Sequence, residues 1–171
     1  GISLPKAGEY GVGMVFLPRD EGQRKRCEAL LEKTVKEEGQ ELLGWRDVPT
    51  DNSTLGYTAK AVEPVIRQIF VRRRTNDEPS FERKLYVIRK RVENAVRESG
   101  MAQASYFHIP SLSCRTIIYK GLLLADQMGT FYPDLNDSSM VSALALVHQR
   151  YSTNTFPTWD LAQPFRYLAH N

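Results

Sequence analysis

Hydrophobic and polar positions fall into a regular pattern from Tyr10 onwards. Tyr10-Gly11-Val12-Gly13-Met14-Val15-Phe16-Leu17 is a short apolar run closed by Pro18, which predicts a buried strand. Its glycines point to close backbone packing. A helix is expected next, with Asp20 as its cap, Gln23 closing a capping box and Gly39 ending it in the left-handed conformation. Cys27, Leu30, Leu31 and Val35 share one face at helical spacing, leaving Arg24, Lys25, Glu32 and Lys36 largely to solvent. Residues 42–48 predict a strand ended by Pro49, and Asp51-Asn52-Ser53 supplies turn chemistry. Residues 65–71, after Pro64, are rich in β-branched side chains and predict another strand. Asp77-Glu78-Pro79-Ser80 signals a helix start, and Phe81, Leu85, Ile88, Val92 and Val96 then repeat at three- and four-residue steps until Gly100.

Beyond Gly100 the pattern predicts strands over 105–109 and 113–120, a short helix over 122–128, a loop over 131–134 and a strand over 143–151. Strands and helices alternate in pairs without an internal repeat or low-complexity linker, which fits an α+β layered fold better than a doubly wound parallel sheet. The Gly11-x-Gly13 pair is no nucleotide loop, since a third glycine is lacking and Pro18-Arg19-Asp20 breaks the strand-to-helix turn. No apolar run approaches the roughly 20 residues of a transmembrane helix. The first residues lack a basic, apolar and small-residue succession, so no secretory signal is expected.

With 171 residues, 42% of them hydrophobic and 25% charged, the chain fits one domain with a real core. The net charge of +3 is unevenly spread, because residues 60–97 carry 11 basic and 5 acidic side chains, among them Arg72-Arg73-Arg74 and Arg89-Lys90-Arg91. Such a stretch suits an acidic partner or nucleic acid. It lacks interleaved stacking aromatics and a recognisable nucleic-acid module, so solvated faces of a strand end and a helix are the simpler expectation. Cys27 and Cys114 are the only cysteines and have no metal-ligand or CxxC spacing, which predicts two buried thiols in a reducing compartment.

Residues 148–171 hold many side chains suited to a small polar substrate: His148, Gln149, Arg150, Ser152, Thr153, Asn154, His170 and Asn171. By residue type alone, a single His is as well a hydrogen-bonded core residue and an Arg at a strand end a surface charge. Order adds information. The run His148-Gln-Arg-Tyr-Ser-Thr-Asn-Thr-Phe-Pro157, then Leu161-Ala-Gln-Pro-Phe165, then Leu168-Ala-His-Asn171, is similar to the glutamate synthase form of the class II glutamine amidotransferase domain. Colinear stretches at 8–18, 43–49, 81–90 and 131–135 resemble the same family, so the resemblance spans nearly the full chain.

The resemblance implies an N-terminal-nucleophile hydrolase with a four-layer αββα sandwich of two antiparallel sheets, of which this chain is an incomplete part. Arg150 matches the arginine that holds the α-carboxylate of L-glutamine, Thr153 a threonine of the same pocket, and Asn171 the oxyanion-hole asparagine. The family's nucleophile is an N-terminal cysteine activated by its own α-amino group. Residue 1 here is Gly, so the expected piece, residues 1–171, lacks the nucleophile segment and the region after Asn171, and the isolated chain is expected to be inactive. FMN and an iron–sulfur cluster are implied for other domains of the intact enzyme, with no cofactor expected in this chain. The partners implied are L-glutamine and the remaining domains of the large subunit, with no nucleic acid and no membrane. The compartment implied is the cytoplasm, or the plastid in a plant or alga. A non-catalytic amidotransferase-like binding or assembly module is the alternative.

Overall fold

The computed structural model describes residues 2–151, 154 and 156–165. The chain divides into two compact units, one made of residues up to Asp47 and Pro64–Ile117, the other of Val48–Glu63 and the residues from Ile118 on. The architecture is α+β.

The first unit is built on a four-stranded sheet in the order β2-β3-β1-β4, with β1 at Tyr10–Leu17, β2 at Glu41–Asp47, β3 at Val65–Arg72 and β4 at His108–Ser113. Every neighbouring pair is antiparallel. Two helices, α1 (Glu21–Glu37) and α3 (Glu78–Arg97), pack against each other and share one core with the sheet. Val15 and Leu17 of β1, Ile69 and Val71 of β3, and Leu112 of β4 meet Cys27, Leu31 and Val35 of α1 and Phe81, Leu85, Ile88, Val92 and Val96 of α3 in this core. Gly11 and Gly13 allow the close approach. A Cβ on Gly11 would lie 2.7 Å from Leu85, and one on Gly13 would lie 2.6 Å from Ile69 and 2.9 Å from Leu112.

Alternation along β1 sends Met14 and Phe16 to the opposite face, in register with Gln68 and Ile66 of β3. This face is buried as well, with Met14, Phe16, Ile66, Phe70, Gln68 and Ser111 all shielded from solvent. The near-continuous apolar reading of β1 therefore has a physical cause, since a strand buried on both faces has no polar side to show.

The helices start and stop where their caps dictate. Asp20 accepts the N–H of Gln23 at 2.8 Å, and Asp77 accepts that of Ser80 at 2.7 Å. Gly39 (φ +72°) and Gly100 (φ +69°) take the left-handed conformation just beyond the two C-termini. One expectation is corrected, because Gln23 does not complete a capping box. Its Oε1 accepts the N–H of Gln103 at 2.8 Å, while the N–H of Asp20 goes to Oε1 of Gln103 at 2.9 Å. A residue 80 positions away thus takes over the local partner's task.

Corrections concentrate after Gly100. Residues 104–106 form a 3-10 turn and only His108–Ser113 is a strand, so the two expected strands collapse into one. The stretch from Cys114 onwards leaves the sheet with its donors already used by side chains. Glu82 accepts the N–H of Cys114 at 2.6 Å, and the Ser113 hydroxyl oxygen accepts those of Arg115 at 3.0 Å and Thr116 at 3.2 Å. The basic stretch is also paired rather than merely solvated. Arg72 and Arg74 reach Glu41, Arg91 reaches Glu37 and Glu38, and Arg89 and Lys90 reach Glu93. Charge that is lopsided along the chain is evened out in space.

The second unit holds no strand of its own among the described residues. Its regular pieces are α2 (Tyr57–Ala61), unforeseen in the sequence, α4 (Met128–Phe131) and 3-10 turns at Ala125–Gln127 and Pro133–Asn136. The short helix expected over 122–128 is therefore displaced towards the C-terminus. The expected loop at 131–134 is instead the unit's centre, with Phe131 and Tyr132 fully buried. Tyr132 stands edge-on to Phe131 at 4.7 Å and to Tyr119 at 5.0 Å, and Phe131 lies 5.5 Å from Trp159. The two chain segments are joined by Asp51 N–H to the Phe131 carbonyl at 3.0 Å and by Gln127 Nε2 to the Thr54 carbonyl at 2.6 Å. Trp159 Nε1 adds a bond to the Ala59 carbonyl at 3.2 Å.

Residues 143–151, expected as a strand, form none among the described residues, and Leu144 and Val147 are largely exposed. Alternating apolar side chains confer strand propensity, but a ladder needs a neighbouring backbone. No helix of the described residues is long and apolar enough to cross a membrane.

Candidate functional site

Of the three predicted site residues, Arg150 is described, and Thr153 and Asn171 lie outside the described residues, as do Ser152 and His170. Arg150 is exposed in a stretch without regular secondary structure, with Gln149 and Asn154 also exposed and His148 half-buried. Its guanidinium is thus open to a ligand. The next residue is the one that is anchored. The Tyr151 hydroxyl donates to the Gly121 carbonyl at 2.5 Å, and burial pushes its pKa up, keeping it a donor.

Gly121 and its neighbour Lys120 take further contacts from the same C-terminal stretch. Lys120 is almost wholly buried, at 2% exposure, and its ammonium donates to the Asp160 carbonyl at 2.6 Å. It also lies 4.5 Å from the centre of the Phe165 ring. The Lys120 carbonyl accepts the Tyr132 hydroxyl at 2.8 Å, and burial holds that hydroxyl well above its ordinary pKa. A Cβ on Gly121 would come within 2.5 Å of the Trp159 ring, so only glycine fits beneath the indole. Sequence reading passed over this pair, taking Lys120 as the end of a strand. The available signal was a lone cation inside the apolar run Ile117-Ile118-Tyr119-Lys120-Gly121-Leu122-Leu123-Leu124.

The two thiols have the wrong electrostatics for a nucleophile. Burial raises the Cys27 pKa to about 11, with Glu28 adding to it. Burial and the Glu82 carboxylate raise that of Cys114 to about 12. Cys27 is buried as expected, whereas Cys114 is only half-buried. Activated thiols show the opposite shift, towards the thiolate. Among the described residues no group of three or more His, Cys, Asp or Glu is placed to hold a metal ion.

An open cavity of about 370 Å³ in the first unit is bordered by Glu21, Arg24, Glu28, Asp47 and Arg67. Its charges already serve one another. Arg67 pairs with Glu28 at 2.8 Å and Asp47 at 2.6 Å and stacks on Trp45 at 5.4 Å, while Glu21 pairs with Lys25 at 2.6 Å. This is a structural network.

The family model for class-II glutamine amidotransferases matches residues 1–171. The chain belongs to this family. Among curated relatives, the glutamate synthase [NADPH] large chain of Bacillus subtilis (strain 168) is 49% identical over 172 residues, covering 99% of this chain and 11% of that protein. Ferredoxin-dependent glutamate synthase 2, chloroplastic, of Arabidopsis thaliana is 47% identical over 100% of this chain and 10% of its own. The glutamate synthase [NADPH] large chain of Azospirillum brasilense is 50% identical over 95% of this chain and 11% of its own. The amidotransferase chain thus spans about a tenth of the length of these relatives. Relatives named for NADPH and for ferredoxin match it almost equally, so this segment does not distinguish the electron donor.

Proposed function

We propose that this chain is the glutamine-binding part of the glutaminase domain of a glutamate synthase, which releases ammonia from L-glutamine for the reductive amination of 2-oxoglutarate to glutamate. The observation that carries the reading is the match, at 47–50% identity over nearly the whole chain, to proteins named as glutamate synthases. In this reading Arg150 clamps the substrate α-carboxylate with the paired donors of a planar guanidinium. Thr153 lines the same pocket, and the Asn171 amide faces the charge that develops on the tetrahedral intermediate. The nucleophile is an N-terminal cysteine, with its α-amino group as general base, and Cys27 and Cys114 are bystanders.

The fold proposed for the intact domain is the four-layer sandwich. It is supported by a sheet that carries α1 and α3 on one face and is buried and largely apolar on the other. The partners proposed are L-glutamine and the remaining domains of the synthase. FMN and an iron–sulfur cluster are assigned to those domains. With two cysteines in all, this chain does not suit the four thiolates of a cluster.

The test is Arg150→Lys in the full-length enzyme, assayed with glutamine and with ammonia. Lysine keeps the charge and loses the two-pronged geometry. Glutamine-dependent kcat/KM should fall tenfold or more, about 1.4 kcal/mol of transition-state stabilisation, while ammonia-dependent glutamate formation persists. Unaltered glutamine kinetics in a folded variant would refute the clamp.

A further inference from the structure

We propose that Lys120 and Gly121 are positioning residues for the glutamine site, fixing from behind the backbone that presents Arg150. The inference rests on the reading of Arg150 as the carboxylate clamp. The geometry begins one residue away from Arg150, where the Tyr151 hydroxyl is bound to the Gly121 carbonyl at 2.5 Å. Trp159 sits on Gly121 so closely that a methyl group would strike its ring at 2.5 Å. Lys120 reaches the Asp160 carbonyl at 2.6 Å and the face of Phe165 at 4.5 Å. Two consecutive residues thus hold Tyr151 at one end of the motif region and Trp159, Asp160 and Phe165 at the other.

The chemistry favours a positioning role over plain packing. Burying an ammonium carries a desolvation cost that an apolar side chain of equal length avoids, and it persists only where fixed acceptors compensate it. A methionine would fill the same space. Only the cation makes a short directional bond to a carbonyl 40 residues further on. The platform beneath it is rigid, because the Lys120 carbonyl is itself held by the buried Tyr132 hydroxyl at 2.8 Å. Displacing the Tyr151 hydroxyl would displace the adjoining Arg150 backbone. Misplacing a binding group by about 1 Å can cost on the order of a hundredfold in rate.

The experiment uses the full-length enzyme and four variants, Lys120→Met, Tyr151→Phe, Arg150→Lys and the double variant of Lys120→Met with Arg150→Lys, each assayed with glutamine and with ammonia. Lys120→Met should raise the KM for glutamine tenfold or more with a smaller change in kcat, and leave ammonia-dependent synthesis intact. Tyr151→Phe, which removes one hydroxyl, should raise the same KM severalfold. In the Arg150→Lys background Lys120→Met should add less than twofold, since the clamp it positions is already lost. If Arg150→Lys impairs glutamine use and Lys120→Met leaves the KM unchanged, the positioning role is wrong and the clamp stands. If Arg150→Lys has no effect, the clamp reading fails first and the positioning role with it. Equal loss of both activities in Lys120→Met would mark a structural residue and overturn the proposal. Should Lys120→Met not fold, Tyr151→Phe decides, and a normal glutamine KM there overturns it.

Discussion

Oε1 of Glu82, one turn into α3, accepts the backbone N–H of Cys114 at 2.6 Å across 32 residues of chain. The same oxygen accepts the Ser113 hydroxyl at 2.9 Å, so one carboxylate marks where β4 ends. Replacing it should be felt. Glu82→Ala leaves a part-buried N–H without its acceptor, and stability should fall by about 1–3 kcal/mol in denaturant titration. A midpoint within error of wild type would show that the bond contributes nothing net.

Gly13→Ala should be destabilising although alanine suits a strand no worse than glycine. The added methyl group would meet Ile69 and Leu112 at 2.6 and 2.9 Å, and both are buried. Overpacking of this kind costs about 1–3 kcal/mol. Thermal unfolding of the variant reads it directly, and an unchanged Tm would mean that the sheet yields more easily than its packing implies.

What the sequence made legible follows from the range of the forces involved. Both long helices and β1 to β3 were readable because the apolar period and the caps Asp20, Gly39, Asp77 and Gly100 agree within short windows. Residues 113–120 misled because Thr116, Ile117 and Ile118 favour a strand, while donors nearby were diverted to Glu82 and the Ser113 hydroxyl. Gln23 misled for a similar reason, its partner being Gln103 rather than the cap. Arg150 was singled out as a candidate only through the ordered motif, since nothing in an exposed arginine declares a ligand. Lys120 was missed because its acceptor is 40 residues away.

The thiols should be inert in the native protein. With pKa values near 11 and 12, Cys27 and Cys114 stay protonated at pH 8, where about a thousandth or less is thiolate. Iodoacetamide labelling at pH 8 should be slow in the folded state and rapid after unfolding. Fast native labelling at either site would contradict the electrostatic picture. Cys27→Ala and Cys114→Ala should leave the KM for glutamine unchanged in the full-length enzyme.

Glu38 should make the fold acid-sensitive. Hydrogen bonds from Lys84 at 2.8 Å and Arg91 at 2.6 Å hold its carboxyl below the usual range. A depressed folded pKa means that the stabilisation is present above the unfolded value near 4.3 and is lost as pH falls through the folded one. Glu38→Gln should therefore lower stability at pH 7 by about 1 kcal/mol after solvent screening, with a smaller deficit at pH 3. Equal deficits at both pH values would show that charge is not the cause.

The interleaving of the two units sets an order of events during synthesis. All strands and both long helices of the first unit have been made once Ser113 leaves the ribosome. The second unit must wait, because Ala59 meets Trp159 only 100 residues later. At about 5–20 residues per second this is a delay of roughly 5–20 s. Between the completion of β4 at Ser113 and the synthesis of Trp159, Val48–Glu63 hangs between completed strands with only the five-residue α2 to order it, too short a helix to persist alone. The buried lysine and the tryptophan over Gly121 belong to the last contacts to close, so a nascent chain acquires its sheet first and the contacts of Tyr151, Trp159 and Phe165 afterwards.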